Sequence, residues 1–301
     1  MLSFSEDGAI IWIVTRRQLI ATLAAAAPAF SAPRSISVGM QTSAWKLALD
    51  DWPGFLKVLG EIRALGYDGF ETSFRNVQSM FGKKAKDARA ELAAKGLRFF
   101  GCHILLSDYD AKTNIPPMDQ IEPVAEGAAS LGAERLIVSG SPVRGDEGPM
   151  DPQRLSWKAG ALNRAGRHCQ QFKMRVCYHN HGPEFANDAE EITALMKETD
   201  SDNVRFIIDA GDALRAKVDL ASFFAKYHKR IDGMHLRDFN AQNVQAPLGQ
   251  GTFAYEPLAA AVKKAKWTGW VIAEEERESG EKPGEKAAAA ARERIRALFG
   301  V

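Results

Sequence analysis

Four short apolar runs in the second half of the sequence each end in a side chain that could bind a metal ion or move a proton. The runs end at His179, Asp209, His235 and Glu274. A carboxylate at the end of a buried apolar run is costly unless it is paired or coordinates a cation, so chance is a poor explanation for the pattern. Two imidazoles and two carboxylates suit a borderline divalent ion, with Mn²⁺ expected first and Zn²⁺, Co²⁺ or Fe²⁺ as alternatives, better than Mg²⁺ or Ca²⁺.

A second histidine follows the first of these four residues at a spacing of two. Because side chains alternate along a strand, His179 and His181 point to the same side. Either histidine alone would be interpreted as a hydrogen-bonded core residue. Two on one face, followed by Glu184, favour a functional site in which one histidine binds the metal ion and the other transfers protons.

These residues require a scaffold that brings strand ends together. After residue 32, short runs rich in β-branched or aromatic residues alternate with longer segments of helical periodicity, which predicts eight βα units. The strands are predicted at 36–41, 69–73, 97–103, 135–139, 175–179, 205–209, 231–236 and 270–274. The helices are predicted at 55–65, 85–95, 121–131, 153–172, 190–199, 220–227, 257–265 and 286–298.

Eight such strands could form either a doubly wound open sheet or a closed barrel. In a barrel the carboxyl ends of all the strands meet at one mouth. Here those ends carry polar side chains at Gln41, Glu71, His103, His179, His181, Asp209, His235 and Glu274. No G-x-G-x-x-G turn follows the first strand, so a dinucleotide-binding sheet has no support. We therefore predict an α/β fold in which residues 33–301 form a single (β/α)8 TIM barrel.

Residues 1–32 are predicted to be a cleavable export signal. Arg16 and Arg17 precede an apolar run over 20–30 that ends in the small residues Ser31 and Ala32. This order is typical of a twin-arginine signal, and the run is shorter than the roughly 20 residues that span a membrane. We expect a periplasmic protein with no stable membrane insertion once the signal is removed.

The bulk composition restricts the partners. The chain of 301 residues is 46% hydrophobic and 26% charged, which is typical of a soluble globular protein. Its net charge of +1 provides no basic field for nucleic acid, so none is expected as a partner. Its three cysteines, Cys102, Cys169 and Cys177, are expected to be packing residues rather than a disulfide framework.

Several motifs resemble the xylose isomerase-like TIM-barrel superfamily of sugar isomerases and epimerases, which also includes inosose dehydratase and, more distantly, endonuclease IV. The motifs are LGYDGFE at 65–71, YHNHGPEF at 178–185, DAGD at 209–212, HLRD at 235–238, LGQG at 248–251 and WVIAE at 270–274. The resemblance extends from residue 37 to the end of the chain. It implies a metal bound by one residue from each of strands five to eight, usually Glu, Asp, His and Glu.

In this sequence the corresponding metal ligands are His179, Asp209, His235 and Glu274. Epimerases of the family use the glutamates of strands five and eight as two bases on opposite faces of the substrate. This chain has His179 at the first of these positions and keeps only Glu274 as a carboxylate. The substitution makes the site less negative, which should raise the Lewis acidity of a bound ion.

The resemblance implies a metal-dependent sugar isomerase or epimerase that removes an α-proton from a non-phosphorylated keto sugar or polyol. The expected catalytic residues are Glu274 as base, with His181 or Glu71 as its partner. The residues expected to bind the sugar are His103, Arg237, Glu184 and Trp45. With one glutamate absent, the alternative is a dehydratase or lyase that eliminates from a 3-keto sugar, 3-keto glycoside or inosose.

Two other classes of protein, a hydrolase and a non-catalytic binding protein, agree less well with the sequence. An AP endonuclease-like hydrolase predicts a larger ligand set and a basic groove, and the sequence shows neither. A non-catalytic sugar-binding protein would not need the four metal ligands. The expected partner is therefore a small-molecule sugar, and assembly as a homodimer is left open.

Overall fold

The computed structural model describes residues 36–144, 148–277 and 279–301. The predicted export signal at 1–32 lies outside the described residues. Within them, no helix has the length and apolar character needed to cross a membrane.

Eight parallel strands close into a barrel in sequence order, with the last strand paired to the first. They are β1 (Ser37–Gln41), β2 (Gly69–Ser73), β3 (Arg98–Ile104), β4 (Arg135–Ser139), β5 (Arg175–His179), β6 (Val204–Asp209), β7 (Ile231–Leu236) and β8 (Trp270–Ala273). The predicted barrel is confirmed, and each strand end lies within one residue of its predicted position. Closure matters for function because it gathers the carboxyl ends of the strands around one mouth.

Helices surround the barrel. They are α1 (Trp52–Ala64), α2 (Ala85–Ala94), α3 (Met118–Leu131), α4 (Pro152–Gln170), α5 (Ala186–Glu198), α6 (Ala210–Arg215), α7 (Leu220–Tyr227), α8 (Glu256–Ala265) and α9 (Gly284–Phe299). The sequence did not predict α6, which is too short to show a helical period. It begins where the Asp209 side chain accepts a hydrogen bond from the Asp212 amide, 2.9 Å away. A short antiparallel ribbon, Asp238–Phe239 with Gln245–Ala246, follows β7.

The inward-facing side chains form three tiers along the barrel axis, because every second residue of a strand points inward. The tiers can be followed on β5, from Arg175 at the floor through Cys177 to His179 at the mouth. The middle tier is a separate apolar cluster of six fully buried residues: Phe100, Ile137, Cys177, Ile207, Trp270 and Ile272. This apolar tier separates the polar mouth from the polar floor.

Glycines on neighbouring strands make room for the apolar tier. A Cβ atom on Gly69 would lie 2.7 Å from the Trp270 ring, and one on Gly101 would lie 2.4 Å from Ile137 Cδ1. Both distances are shorter than real Cβ contacts allow, so a larger residue at either position would displace the tier. The tier therefore depends on matched large and small residues across the barrel.

The floor of the barrel is charged. Arg135 Nε donates to Asp232 at 3.0 Å, and Arg175 lies 3.3 Å from the same carboxylate. The Arg135 guanidinium also lies over the Phe100 ring, 4.7 Å from its centroid, and Arg98 lies over the Trp270 ring at the same distance. These contacts join the charged floor to the apolar tier above it.

Candidate metal centre

Three of the four predicted metal ligands converge at the mouth. The donor atoms of His179, His235 and Glu274 all lie within 4.8 Å of one another. His235 Nδ1 is 2.7 Å from both His179 Nε2 and Glu274 Oε2. The contact to Glu274 lacks hydrogen-bond geometry, so Glu274 Oε2 is a buried oxygen without a hydrogen-bond donor. We call these three residues the metal triad.

Glu71 lies behind the metal triad. Its Oε2 is 2.7 Å from His235 Nε2, the ring nitrogen that points away from the other two triad residues. Its Oε1 accepts a hydrogen bond from Gln41 Nε2 at 3.0 Å and is 3.1 Å from His103 Nδ1. The side chain is fully buried. A carboxylate on the second nitrogen of a metal-binding histidine fixes its tautomer and orientation.

His103 connects Glu71 to the next strand. Its Nδ1 faces Glu71, and its Nε2 is 2.6 Å from Ser139 Oγ at the end of β4. The centroid of its ring lies 5.2 Å from that of His179. Both ring nitrogens therefore have protein partners, which leaves the face and edge of the ring to form part of the wall of the mouth.

Asp209 lies next to His235 in the sheet but outside the metal triad. Its Oδ2 is 3.0 Å from Arg237 Nη2, and the same guanidinium nitrogen is 3.0 Å from Asp212 Oδ1. Arg237 Nη1 also lies 3.8 Å from Glu274 Oε1. Arg237 is thus a positive charge beside the carboxylates of Asp209, Asp212 and Glu274. Because Asp209 is paired with Arg237 and lies outside the metal triad, it is a potential fourth ligand.

The pKa values of these groups diverge because burial and charge act in opposite directions. Burial lowers the pKa of His235, but the charges of Glu71 and Glu274 outweigh it and raise that pKa to about 10. Burial raises the pKa of Glu274, whereas Arg237 and His235 bring it down to about 2. For Asp209, burial outweighs the Arg237 charge and raises the pKa to about 7. Burial and the neighbouring His235 hold the pKa of His179 well below its usual value.

The donor set fits a divalent metal ion. His235 Nδ1 lies 2.7 Å from both His179 Nε2 and Glu274 Oε2, and of these two contacts only the first has hydrogen-bond geometry, so Glu274 Oε2 has no donor. The carboxylates of Glu71, Asp209 and Glu274 crowd the same region, and the Arg237 guanidinium contacts the last two of them. A cation at the triad would balance this charge, and mixed nitrogen and oxygen ligands suit a transition metal.

His181 is held at the edge of the mouth and is partly exposed. Its ring centroid is 5.4 Å from that of His179, and its Nδ1 is 3.3 Å from the carbonyl oxygen of Gly140. Its backbone N–H donates to Glu184 Oε2 at 2.6 Å. Among the residues predicted for catalysis, His181 and Glu274 therefore both reach the space around the metal triad.

Two residues predicted to bind the sugar, Glu184 and Trp45, have protein partners for their polar atoms. Glu184 is fully buried and binds Lys158 Nζ at 3.0 Å and the Tyr178 hydroxyl, so its burial argues against contact with a substrate. The indole N–H of Trp45 donates to Glu61 of α1 at 2.8 Å, which turns this edge of the ring towards the helix layer. Lys158 has no signal in the sequence that predicts its burial, because a lysine in an amphipathic helix is ordinarily exposed.

Comparison with known proteins identifies relatives that match most of the barrel. A family model described as a xylose isomerase-like TIM barrel matches residues 59–298. An inosose dehydratase from Geobacillus kaustophilus is 27% identical over 277 residues, covering 80% of this chain and 87% of that protein.

Two solved structures have the same fold. A crystal structure of IOLI protein with a bound zinc atom has a TM-score of 0.72 and 13% identity, covering 88% of this chain and 98% of that one. A 3-keto-D-glucoside 4-epimerase from E. coli has a TM-score of 0.66 and 17% identity, covering 89% of this chain and 100% of that one.

Proposed function

The chain belongs to the xylose isomerase-like TIM-barrel family, and from that premise we propose that it is a metal-dependent dehydratase of a non-phosphorylated keto sugar or keto cyclitol. The proposal has two parts: removal of an α-proton and loss of the β-hydroxyl group as water. The curated relatives named inosose dehydratase support the second part. The expectation of export supports a substrate without phosphate.

In this proposal His179, His235 and Glu274 hold the ion, with Asp209 next to them. A divalent ion bound there would act as a Lewis acid towards a carbonyl oxygen and acidify the neighbouring C–H bond. The metal named for one structural relative is zinc. Mn²⁺, Zn²⁺, Co²⁺ and Fe²⁺ all remain candidates for this chain.

The observation that carries the proposal is the single carboxylate of the metal triad. Of the described carboxylates around the mouth, Glu71 is behind His235 and Asp209 is paired with Arg237. Of these three carboxylates, Glu274 is the one that has an oxygen in the metal triad. Its other oxygen, Oε1, lies 3.8 Å from the Arg237 guanidinium. Elimination requires one base and one acid, whereas epimerisation by paired glutamates requires two carboxylates.

Glu274 Oε1 is the proposed base and His181 the proposed acid. Glu274 removes the α-proton, and the electrons of that C–H bond form an enolate. The enolate electrons then form a C=C bond and expel the β-hydroxyl group, which takes a proton from His181 and leaves as water. Arg237 is proposed to orient a substrate hydroxyl, and His103 to line the mouth. Glu71 acts through His235 and does not serve as a base.

Asp209 favours a second candidate, isomerisation or epimerisation. Burial outweighs the Arg237 charge and raises the pKa of this carboxyl group above its ordinary value, which favours a proton on Asp209. If Asp209 returned the proton to the enolate from another side, the product would be an isomer and no water would be lost. The two candidates share the first step and differ in their product.

The test is to incubate the metal-loaded protein with inososes, 3-keto glycosides and ketoses in deuterium oxide and to follow the products by NMR. We expect deuterium exchange at the α-carbon and a dehydrated product from at least one keto cyclitol or keto sugar. An isomer without dehydration would select the second candidate. Activity that is unchanged after removal of all metal by a chelator would contradict both.

The matched variants for this test are E274Q and E276Q. E274Q removes the proposed base, so the exchange rate should fall by about 10²- to 10⁴-fold. Glu276 is exposed and lies 3.4 Å from Lys282, so E276Q should leave the rate unchanged. Equal rates in the two variants would exclude Glu274 as the base.

A further inference from the structure

A buried charge cluster lies beneath two loops of the mouth. Lys158 of α4 is fully buried, and its Nζ donates to three acceptors in three different segments. These are the Ser141 carbonyl oxygen at 2.9 Å, Glu184 Oε1 at 3.0 Å and Glu191 Oε1 at 2.9 Å. The ammonium group also lies 4.6 Å from the centroid of the Tyr178 ring. Lys158 thus joins the loop after β4, the turn after β5 and helix α5.

Both carboxylates of the cluster also accept hydrogen bonds from main-chain amides. Glu191 accepts the Val143 amide at 3.1 Å and 3.0 Å with its two oxygens. Glu184 accepts the His181 amide with Oε2 at 2.6 Å, and the His181 carbonyl oxygen accepts the Glu184 amide at 3.3 Å. The His181 backbone is therefore tied in both directions to a residue that Lys158 holds.

Stability alone does not account for this cluster. One ammonium group faces two carboxylates, all fully buried, and desolvating such charges costs as much as their attraction returns. Burial raises the pKa of Glu191, the Lys158 charge opposes this rise, and Glu184 adds to it. Apolar residues of similar volume could fill the same space without that cost. What the cluster does provide is a fixed position for the segments that it joins, because the ammonium group and both carboxylates each bind defined partners.

We propose that Glu184, held by Lys158, is a positioning residue that fixes the main chain of His181 beside the metal triad. The inference rests on the proposed function only for the role of His181 as an acid. Glu184 has no contact with the reacting groups in this proposal. Its effect on the rate passes through the His181 amide, and a small displacement of a proton-transferring group can lower a rate by about 100-fold.

Two double variants isolate the Glu184 acceptor. K158M/E184Q and K158M/E184L both remove one positive and one negative charge, so the net charge of the cluster is unchanged. The glutamine side chain keeps an oxygen that can accept the His181 amide, whereas the leucine side chain has none. We expect kcat to fall about 10- to 100-fold further in K158M/E184L than in K158M/E184Q. We expect KM to differ by less than about threefold, and the Mn²⁺ affinity to be equal in the two variants.

Hydrogen exchange of the His181 amide gives a readout that needs no substrate. In the wild-type protein we expect this amide to exchange slowly, and in K158M/E184L we expect it to exchange faster than in K158M/E184Q. A rapidly exchanging His181 amide in the wild type would overturn the inference even if neither variant folds. Equal kcat values in two folded variants, or a rise in KM instead of a fall in kcat, would also overturn it. Wild-type protein without activity on any keto sugar would overturn the proposed function, while the exchange measurement would still decide this inference.

Discussion

His235 lies between two carboxylates of different function. Glu274 faces Nδ1 within the metal triad, and Glu71 faces Nε2 from behind. The second contact holds a proton on Nε2, on the side away from the triad, so a bound ion would displace the Nδ1 proton and take its place. Since Glu71 also binds Gln41 and His103, its own position is fixed from two neighbouring strands.

Replacing Glu71 by glutamine should weaken metal binding without removing a ligand. The amide carries no charge to raise the basicity of His235, so we expect the Kd for Mn²⁺ to increase by about 10- to 100-fold in E71Q. Isothermal titration calorimetry on the metal-free protein measures it. E293Q, in an exposed ion pair on α9, is the matched control and should bind Mn²⁺ like the wild type. The same Kd in E71Q and E293Q would show that Glu71 does not support His235.

The direction of a side chain is easier to predict at a strand end than in a loop. His179, His235 and Glu274 each lie within one residue of a strand end, where alternation determines the side that each side chain faces. Glu184 lies three residues beyond His181, in a turn where alternation no longer applies. The side that its carboxylate faces depends on how α4 packs against this turn, and the local sequence pattern does not predict that packing.

Helix α4 contains two glycines in contrasting surroundings. A Cβ atom on Gly166 would lie 2.5 Å from the backbone oxygen of Asn203, while one on Gly160 would have no neighbour within 4 Å. The close approach at Gly166 brings α4 against the segment that leads into β6. Gly160 has no such role, so its substitution reports only the helix propensity.

We therefore expect opposite effects of alanine at these two positions. G166A should lower the free energy of unfolding by about 1–3 kcal/mol, because Asn203 must move. G160A should raise it by about 0.5–1 kcal/mol, because alanine loses less backbone entropy in a helix. Urea unfolding followed by circular dichroism measures both values. A change of the same sign in both variants would contradict the packing described for α4.

Strands and long helices could be predicted from the sequence because each repeats a period over several residues. The same reasoning gave no signal for α6, which spans six residues, or for the two-residue strands of the ribbon after β7. The Asp209 side chain caps the α6 helix, whereas the sequence pattern predicts Asp209 only as a metal ligand. One carboxylate thus serves both the fold and the site.

At the scale of the whole barrel, the charged floor makes stability depend on pH. Burial raises the pKa of Asp232, but Arg135 and Arg175 outweigh it and hold the pKa below the ordinary value of 3.8. A carboxylate with a lowered pKa stabilises the folded state above its unfolded pKa and loses that contribution as the pH falls through the folded value. The contribution of Asp232 is therefore complete at neutral pH.

D232N tests this dependence. At pH 7 we expect its free energy of unfolding to be about 2 kcal/mol below that of the wild type, because Arg135 loses a charged partner. The difference should shrink as the pH falls below about 4, since Asp232 of the wild type becomes neutral as well. Urea titrations at a series of pH values between about 7 and about 3 span this window and measure it. A difference that stays constant over this range would refute the role of Asp232.

Export of the whole chain remains a prediction from residues 1–32, which lie outside the described residues. In a Gram-negative host we expect the wild-type protein in the periplasmic fraction and R16K/R17K in the cytoplasm, because the paired arginines are the feature that the export machinery reads. R63K, which changes an arginine of α1, is the control and should be exported. Equal distribution of all three proteins would contradict a twin-arginine signal.

The apolar tier closes the barrel directly below the metal triad, so the triad opens towards the mouth. If the chain has the function proposed above, an ion and a sugar would use the same entrance. A sugar ring bound over the triad would lie between the ion and solvent, so the ion would leave more slowly while substrate or product is bound. The residence time of the metal would then be coupled to that of the substrate.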